Sequence, residues 1–241
     1  MATKISAEQL FEALKNDFGI VNADGEITFN LKSFKITVEQ NNVVGNILEE
    51  WLAKWMKDKD YAFIHNEKQK SPDFWLDPDN KDKDWLEVKS YTGSPSFDLG
   101  GFRGYIKEVQ KSPQKLDAKY LIIKYKMYKG GRLEIVNIWL KNVWEISSPM
   151  ASWPVRVQYK NNAIVNLRPA PWYSDNTDYP QFKSLEHFLA ALEQTIYKYH
   201  ETNSIAESWL DDVKTNYQQY CGKVLDVPRW FDIKSQYPKK V

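Results

Sequence analysis

The chain has 241 residues, which suits one domain or one domain with a small appendage. A hydrophobic fraction of 42% and an aromatic fraction of 15% favour a folded protein over a disordered one, and a net charge of +1 does not announce a polyanion partner. No apolar run is long enough to span a bilayer, the N-terminus lacks the apolar stretch of a signal peptide, and the one cysteine, Cys221, cannot form an intrachain disulfide; these features fit a reducing compartment such as bacterial cytoplasm.

Ser6 followed by Gln9 has the form of a capping box, and Leu10, Phe11, Leu14 and Phe18 follow at helical spacing, so a helix is expected that Gly19 ends. Ile27, Phe29 and Leu31, then Phe34, Ile36 and Val38, alternate with polar residues and predict a β-hairpin. Apolar residues at 44, 47, 48, 51, 52 and 55 predict a helix with one buried face, on which Trp51 and Trp55 belong to the core. Two short strands are expected around 74–76 and 85–89, with an exposed loop over 77–83. Between 107 and 132 the basic residues are opposed only by Glu108 and Asp117; this segment could line a groove for phosphates or form a solvated surface. Strands follow at 120–128 and 133–140, joined near Gly130-Gly131, and a hairpin at 155–159 and 163–167. The stretch 168–182, rich in Pro, Asp, Asn and Tyr, reads as a long loop. Ser184 can cap a helix carrying Leu185, Phe188, Leu189, Leu192 and Ile196, and a last helix covers 205–220. The pattern is a mixed sheet with helices, α/β or α+β, with no repeat or obvious linker. One domain over 1–241 is expected, with an N-terminal helix and hairpin (1–42), a core (43–145) and a C-terminal part (146–241).

The chemistry lies in Ser71-Pro72-Asp73-Phe74-Trp75-Leu76 and Asp84-Trp85-Leu86-Glu87-Val88-Lys89. Alternate side chains of a strand share a face, so Glu87 and Lys89 point the same way, roughly 7 Å apart. Leu86 and Val88 point to the opposite, buried face. If the preceding strand pairs alongside, Asp73 reaches the same corner. Two carboxylates offer hard oxygen ligands for magnesium, and a lysine beside them can position a water for phosphodiester hydrolysis. The pattern is short and degenerate, and spacing alone leaves a structural reading open. His65, His187 and His200 have no metal-ligand spacing and read as structural, and Cys221 reads as a small apolar residue.

Four segments resemble the EcoRV-like branch of type II restriction endonucleases of the PD-(D/E)xK superfamily, and within it the NlaIV and NgoBV group. They are Gly19 to Ile27, similar to the start of the family's N-terminal hairpin; Lys68-Gln69-Lys70-Ser71-Pro72-Asp73-Phe74; Leu86-Glu87-Val88-Lys89-Ser90-Tyr91-Thr92; and Phe97 to Tyr105. Together they cover about residues 17–106. The resemblance implies a restriction-endonuclease-like core, a mixed central β-sheet flanked by helices, with an N-terminal helix and hairpin. It implies a Mg2+-dependent enzyme that cuts both strands of a short palindromic duplex, leaving 5′-phosphates and blunt ends. Asp73, Glu87, Lys89 and an acidic residue on the preceding helix would be catalytic. For that last residue Glu49, four positions after Gly45, fits better than Glu50. Asp73, Glu87 and the Val88 carbonyl would hold the metal, and Lys89 would orient the attacking water.

DNA contacts implied by the same resemblance are Lys68, Gln69, Lys70 and Ser71 on one side and Gly100, Gly101, Phe102 and Arg103 near it. Arg168, Asn176, Thr177, Tyr179 and Gln181 lie where the family reads bases, and Arg, Asn and Gln suit that task. The pair Gly100-Gly101 could equally be a simple turn. A homodimer built through the hairpin is expected, because a palindrome has a two-fold axis. The hairpin would bury one side in its own domain and offer the other to the partner, or simply cover its own core. A DNA methyltransferase is the expected genetic partner. The alternatives are another nuclease with this core, for repair or junction resolution, and a non-catalytic DNA-binding protein with the same fold.

Overall fold

The structure, a computed structural model, describes residues 2–68, 70–175 and 177–240. Gln69 and Asn176, both expected DNA contacts, lie outside the described residues. In chain order the elements begin with β1 (Thr3–Lys4), α1 (Ala7–Glu12), β2 (Asp24–Glu26), β3 (Thr28–Leu31), β4 (Phe34–Thr37), α2 (Val44–Asp58), β5 (Tyr61–Ala62), β6 (Ile64–His65), β7 (Phe74–Trp75) and β8 (Trp85–Tyr91). They continue with β9 (Gly100–Gly101), α3 (Phe102–Lys111), β10 (Lys119–Met127), β11 (Arg132–Lys141), β12 (Val157–Lys160), β13 (Ala163–Leu167), α4 (Leu185–Lys198), α5 (Ala206–Cys221) and α6 (Trp230–Ile233). No helix among the described residues is long and apolar enough to cross a membrane.

Packing gathers these elements into two compact units, Met1–Pro95 with Lys119–Lys141, and Ser96–Ala118 with Asn142–Val241. Residues 96–118 thus group with the C-terminal residues.

The first unit is built on a mixed sheet of order β2-β11-β10-β8-β7-β6. Its β8–β10 pair is parallel and the others are antiparallel. A parallel pair needs a crossover, and the chain carrying β9 and α3 supplies it. Ser6 caps α1 as its spacing implies: its hydroxyl accepts from the Gln9 amide, and the Gln9 side chain accepts from the Ser6 amide. Gly19, at φ +67°, turns the chain away after the helix. Helix α2 buries Val44, Leu48, Leu52 and Met56, which join Leu10 and Leu14 in one core with Leu86, Val88, Leu121 and Ile123 from the sheet. Burying each such side chain contributes about 1.5–3 kcal/mol. Helix α2 packs close to β8 at Gly45, where a Cβ would lie in contact with the Ser90 hydroxyl at 3.4 Å.

The β3–β4 hairpin forms as expected but does not bury either face in its own unit. The cross-strand pairs Phe29–Ile36 and Leu31–Phe34 share one face and are 54%, 57%, 63% and 78% exposed. On the other face Thr28, Asn30 and Lys35 are exposed as well. The hairpin is held at its base. Thr37 donates to Glu26 at 2.9 Å, and the Gly130 amide donates to Glu39 at 2.9 Å. Gly131, at φ +76°, has no room for a side chain against Thr37.

The second unit contains a three-stranded sheet of order β12-β13-β9 and the helices α3 to α6. Asn161 and Asn162, both at positive φ, make the two-residue turn between β12 and β13. Helix α3 was not expected. Its buried Phe102, Tyr105, Ile106 and Val109 do recur at helical spacing. Trp209 of α5 donates to the Ile106 carbonyl at 2.9 Å, and Asn216 to the Gln110 carbonyl at 2.7 Å, which ties α5 to α3. The segment 168–184 contains no helix or strand among its described residues, as its composition implies.

The basic stretch 107–132 does not form one continuous element. It is split over α3, β10 and β11. Lys115 is buried and sits 3.1 Å from Glu108; Lys119 is 3.1 Å from Glu8; Arg132 is 3.0 Å from Asp24. Within a folded chain these cations have local partners that sequence order does not display.

Candidate active site

The pairing of β7 with β8 builds the site. Phe74 lies opposite Leu86 and Trp75 opposite Trp85, so Asp73 enters beside the next step of β8, at Glu87. One Asp73 oxygen accepts from the Val88 amide at 2.6 Å, which pins the carboxylate to the strand. Leu86 and Val88 point into the apolar core, so Glu87 and Lys89 take the opposite face, as the two-residue period requires. The Lys89 ammonium donates to Glu87 at 3.0 Å and lies 3.9 Å from the pinned Asp73 oxygen. The Ser71 hydroxyl donates to the other Glu87 oxygen. Parallel pairing sets Tyr120 of β10 beside Glu87 and Ile122 beside Lys89, both buried. The three residues read from the sequence therefore meet in one corner with apolar walls.

Burial and the nearby Glu87 charge push the Asp73 carboxyl up to about 6, although Lys89 and the Val88 amide work against the shift. Burial alone would lower the Lys89 pKa, but the charges of Glu87 and Asp73 outweigh it and hold the ammonium above the usual lysine range. In this structure Lys89 donates to Glu87. Among the described residues no three His, Cys, Asp or Glu side chains converge as a metal cluster. The corner offers instead the two carboxylates of Asp73 and Glu87. Two crowded acids, one of them resisting ionisation, are a donor set that a hard divalent cation would relieve.

Glu49 is the better of the two helix acids on geometry. It accepts from His65 Nε2 at 2.9 Å, and its charge reaches both Asp73 and Lys89. Glu50 is exposed. Two residues near this corner were not identified from sequence. His65 was read as structural, and no local pattern marks its contact with α2. Asn66 holds the loop before Asp73, donating to the carbonyls of Lys70 and Pro72, each at 2.9 Å, and accepting from the Lys68 amide at 3.2 Å. An Asn ahead of a short polar loop was a usable signal for it.

The expected DNA contacts divide. Lys68 and Lys70 are exposed on that loop, whereas the Ser71 hydroxyl is engaged by Glu87. Gly101 is exposed at the edge of β9. Gly100 is needed for packing, since a Cβ there would come within 3.1 Å of Tyr105. Phe102 is fully buried against Tyr199 and has no face for DNA. Arg103 is paired with Glu201, and Arg168 with Asp98. Thr177 is buried, its hydroxyl donating to the Tyr179 carbonyl at 2.9 Å. Tyr179 and Gln181 are partly exposed. Phe102 and Thr177 are corrections: both are apolar-facing or internally bonded residues that serve the fold.

The chain is similar to known proteins along its whole length. The sequence model of the family described as NgoBV restriction endonuclease matches residues 4–237. The type II restriction enzyme NlaIV of Neisseria lactamica is 36% identical over 241 residues, covering 98% of this chain and 99% of its own. The type II restriction enzyme NgoBV of Neisseria gonorrhoeae is 34% identical over 160 residues, covering 65% of this chain and 91% of its own. A solved structure of NlaIV restriction endonuclease superposes with a TM-score of 0.93 at 36% identity, covering 98% of each chain. The mixed α/β fold is thus shared with that enzyme, and the chain belongs to the NgoBV family of type II restriction endonucleases.

Proposed function

We propose that the protein hydrolyses both strands of double-stranded DNA at a short palindromic site, using Mg2+ and leaving 5′-phosphates and blunt ends. The observation that carries this reading is the corner of Asp73, Glu87 and Lys89. Asp73, Glu87 and the Val88 carbonyl would hold the Mg2+, which when bound offsets charge on the scissile phosphate and lowers the pKa of the attacking water. The Val88 amide fixes one Asp73 oxygen, and Ser71 and Lys89 fix the two Glu87 oxygens. The Lys89 ammonium aims the water in line with the leaving 3′-oxygen and contributes positive charge to the reaction. Glu49 adds a third carboxylate to the field of the site.

The remaining parts of the reading follow from the surface. Lys68 and Lys70 meet phosphates without regard to sequence. Arg168, Asn176, Tyr179 and Gln181 read bases, with Arg168 exchanging its partner Asp98 for DNA. Gly101 and Arg103 follow the backbone. The exposed apolar face of the β3–β4 hairpin joins two copies into a homodimer, which matches the two-fold axis of a palindrome. The protein works in the bacterial cytoplasm beside a methyltransferase that protects host DNA. Digestion of a plasmid of known sequence, with the fragment ends sequenced, tests the reading. Discrete blunt fragments in Mg2+ and none in Ca2+ are expected. Non-specific degradation, or cutting confined to branched DNA, would favour a repair or junction nuclease.

A further inference from the structure

We propose that His65 is a positioning residue of the active centre, holding the Glu49 carboxylate of α2 in fixed relation to the β7–β8 corner. The inference rests on the reading of Glu49 as a member of that centre. Strand β6 is connected to both acids. Through its backbone it pairs with β7, and the following Asn66 amide donates to the Asp73 carbonyl at 2.9 Å. Through its side chain His65 reaches α2, with Nε2 2.9 Å from a Glu49 oxygen. A carboxylate can only accept, so Nε2 carries the proton. The imidazole is not free to swing, because it stacks on Phe74 with ring centres 4.7 Å apart and planes 16° from parallel. Phe74 is fully buried and directly follows Asp73. An unrestrained glutamate samples several rotamers; this bond selects one. One aromatic stack and one hydrogen bond thus link the acid on the helix to the acid on the strand.

Loss of such an orienting partner typically lowers activity about 10–100-fold. His65→Phe keeps the stack and removes the bond, whereas His65→Gln keeps a donor near the position of Nε2. On a plasmid that the wild-type protein cuts in Mg2+, kcat of His65→Phe should fall by about that factor, with KM for DNA within about 3-fold of wild type. His65→Gln should recover most of the loss, and His65→Phe should add little in a Glu49→Ala background. Melting temperatures of the two single variants and their double variant, measured without metal, should be non-additive, which reads the contact independently of cleavage. Wild-type kcat in His65→Phe alongside a slow Glu49→Ala would overturn the role of His65 and leave Glu49 in place. Wild-type cleavage by Glu49→Ala would instead overturn the reading of Glu49. Equal losses in His65→Phe and His65→Gln, with both melting early, would mark a structural residue and also overturn the proposal.

Discussion

Asp73 is held where its own charge is disfavoured, and that has a consequence for stability. Its carboxyl is pushed up from 3.8 to about 6 by burial and by Glu87. The folded protein therefore binds this proton more tightly than the unfolded chain does. The stabilisation is fully present below pH 3.8 and is lost as pH rises through about 6. Asp73→Asn keeps an acceptor for the Val88 amide and removes the charge. Without metal it should stabilise the fold by about 1–3 kcal/mol at pH 8 and by much less near pH 4. Urea unfolding at both pH values measures the difference, and an equal effect at both would show that Asp73 is not perturbed. At this scale the sequence was legible where a period of two and a short loop determine the contact, as for Asp73, Glu87 and Lys89. It was not legible where partners are set by tertiary packing. Arg168 with Asp98 and Arg103 with Glu201 are distant pairs, so both arginines, which read alone look free, would have to exchange an acid to contact DNA.

The elements repeat that contrast. Ser184 accepts from the His187 amide and starts a helix whose Phe188, Leu189, Leu192 and Ile196 are fully buried. Ser184→Ala should lower stability by about 1 kcal/mol, seen as an earlier melting transition with cleavage unaffected at low temperature. An unchanged transition would mean that the cap is replaced by another acceptor. Caps, hairpin alternation and the amphipathic face of α2 were readable because each is local. Helix α3 carried the same periodicity, but the glycines at 100, 101 and 104 masked it, whereas Phe102 was assigned to DNA through the resemblance of 97–105 to the family. Strands β6 and β9 span only two residues each, too short for any periodic signal. The loop before Asp73 is stapled by Asn66 and presents Lys70 to solvent. Lys70→Ala should weaken binding to all duplexes alike and reduce the slope of log affinity against log salt by about 1. Titrations in Ca2+ at several salt concentrations check this, and a loss confined to one sequence would make Lys70 a base reader.

At the scale of the whole molecule, the hairpin is the feature least explained by the single chain. An isolated two-stranded hairpin is marginal in water, and exposed apolar patches on otherwise polar surfaces mark interaction sites. In the proposed homodimer a partner copy would cover Phe29, Leu31, Phe34 and Ile36 and account for both. Light scattering without DNA should give twice the chain mass of 28.3 kDa. Leu31→Asp combined with Phe34→Asp should give a folded monomer. A wild-type monomer at micromolar concentration would remove the hairpin from the interface. Alternation predicted the hairpin, but not that both faces stay exposed, because burial depends on what stands beside a strand.

In the proposed function cleavage depends on the corner where β7 meets β8, and the most direct measurement separates cutting from binding there. Asp73→Ala and Lys89→Ala are assayed on plasmid in Mg2+, and on the duplex site in Ca2+. The account predicts that both variants lose cleavage while retaining duplex affinity close to that of the wild type, since these residues serve the metal and the water and not the base edges. Near-normal cleavage by either variant would contradict it.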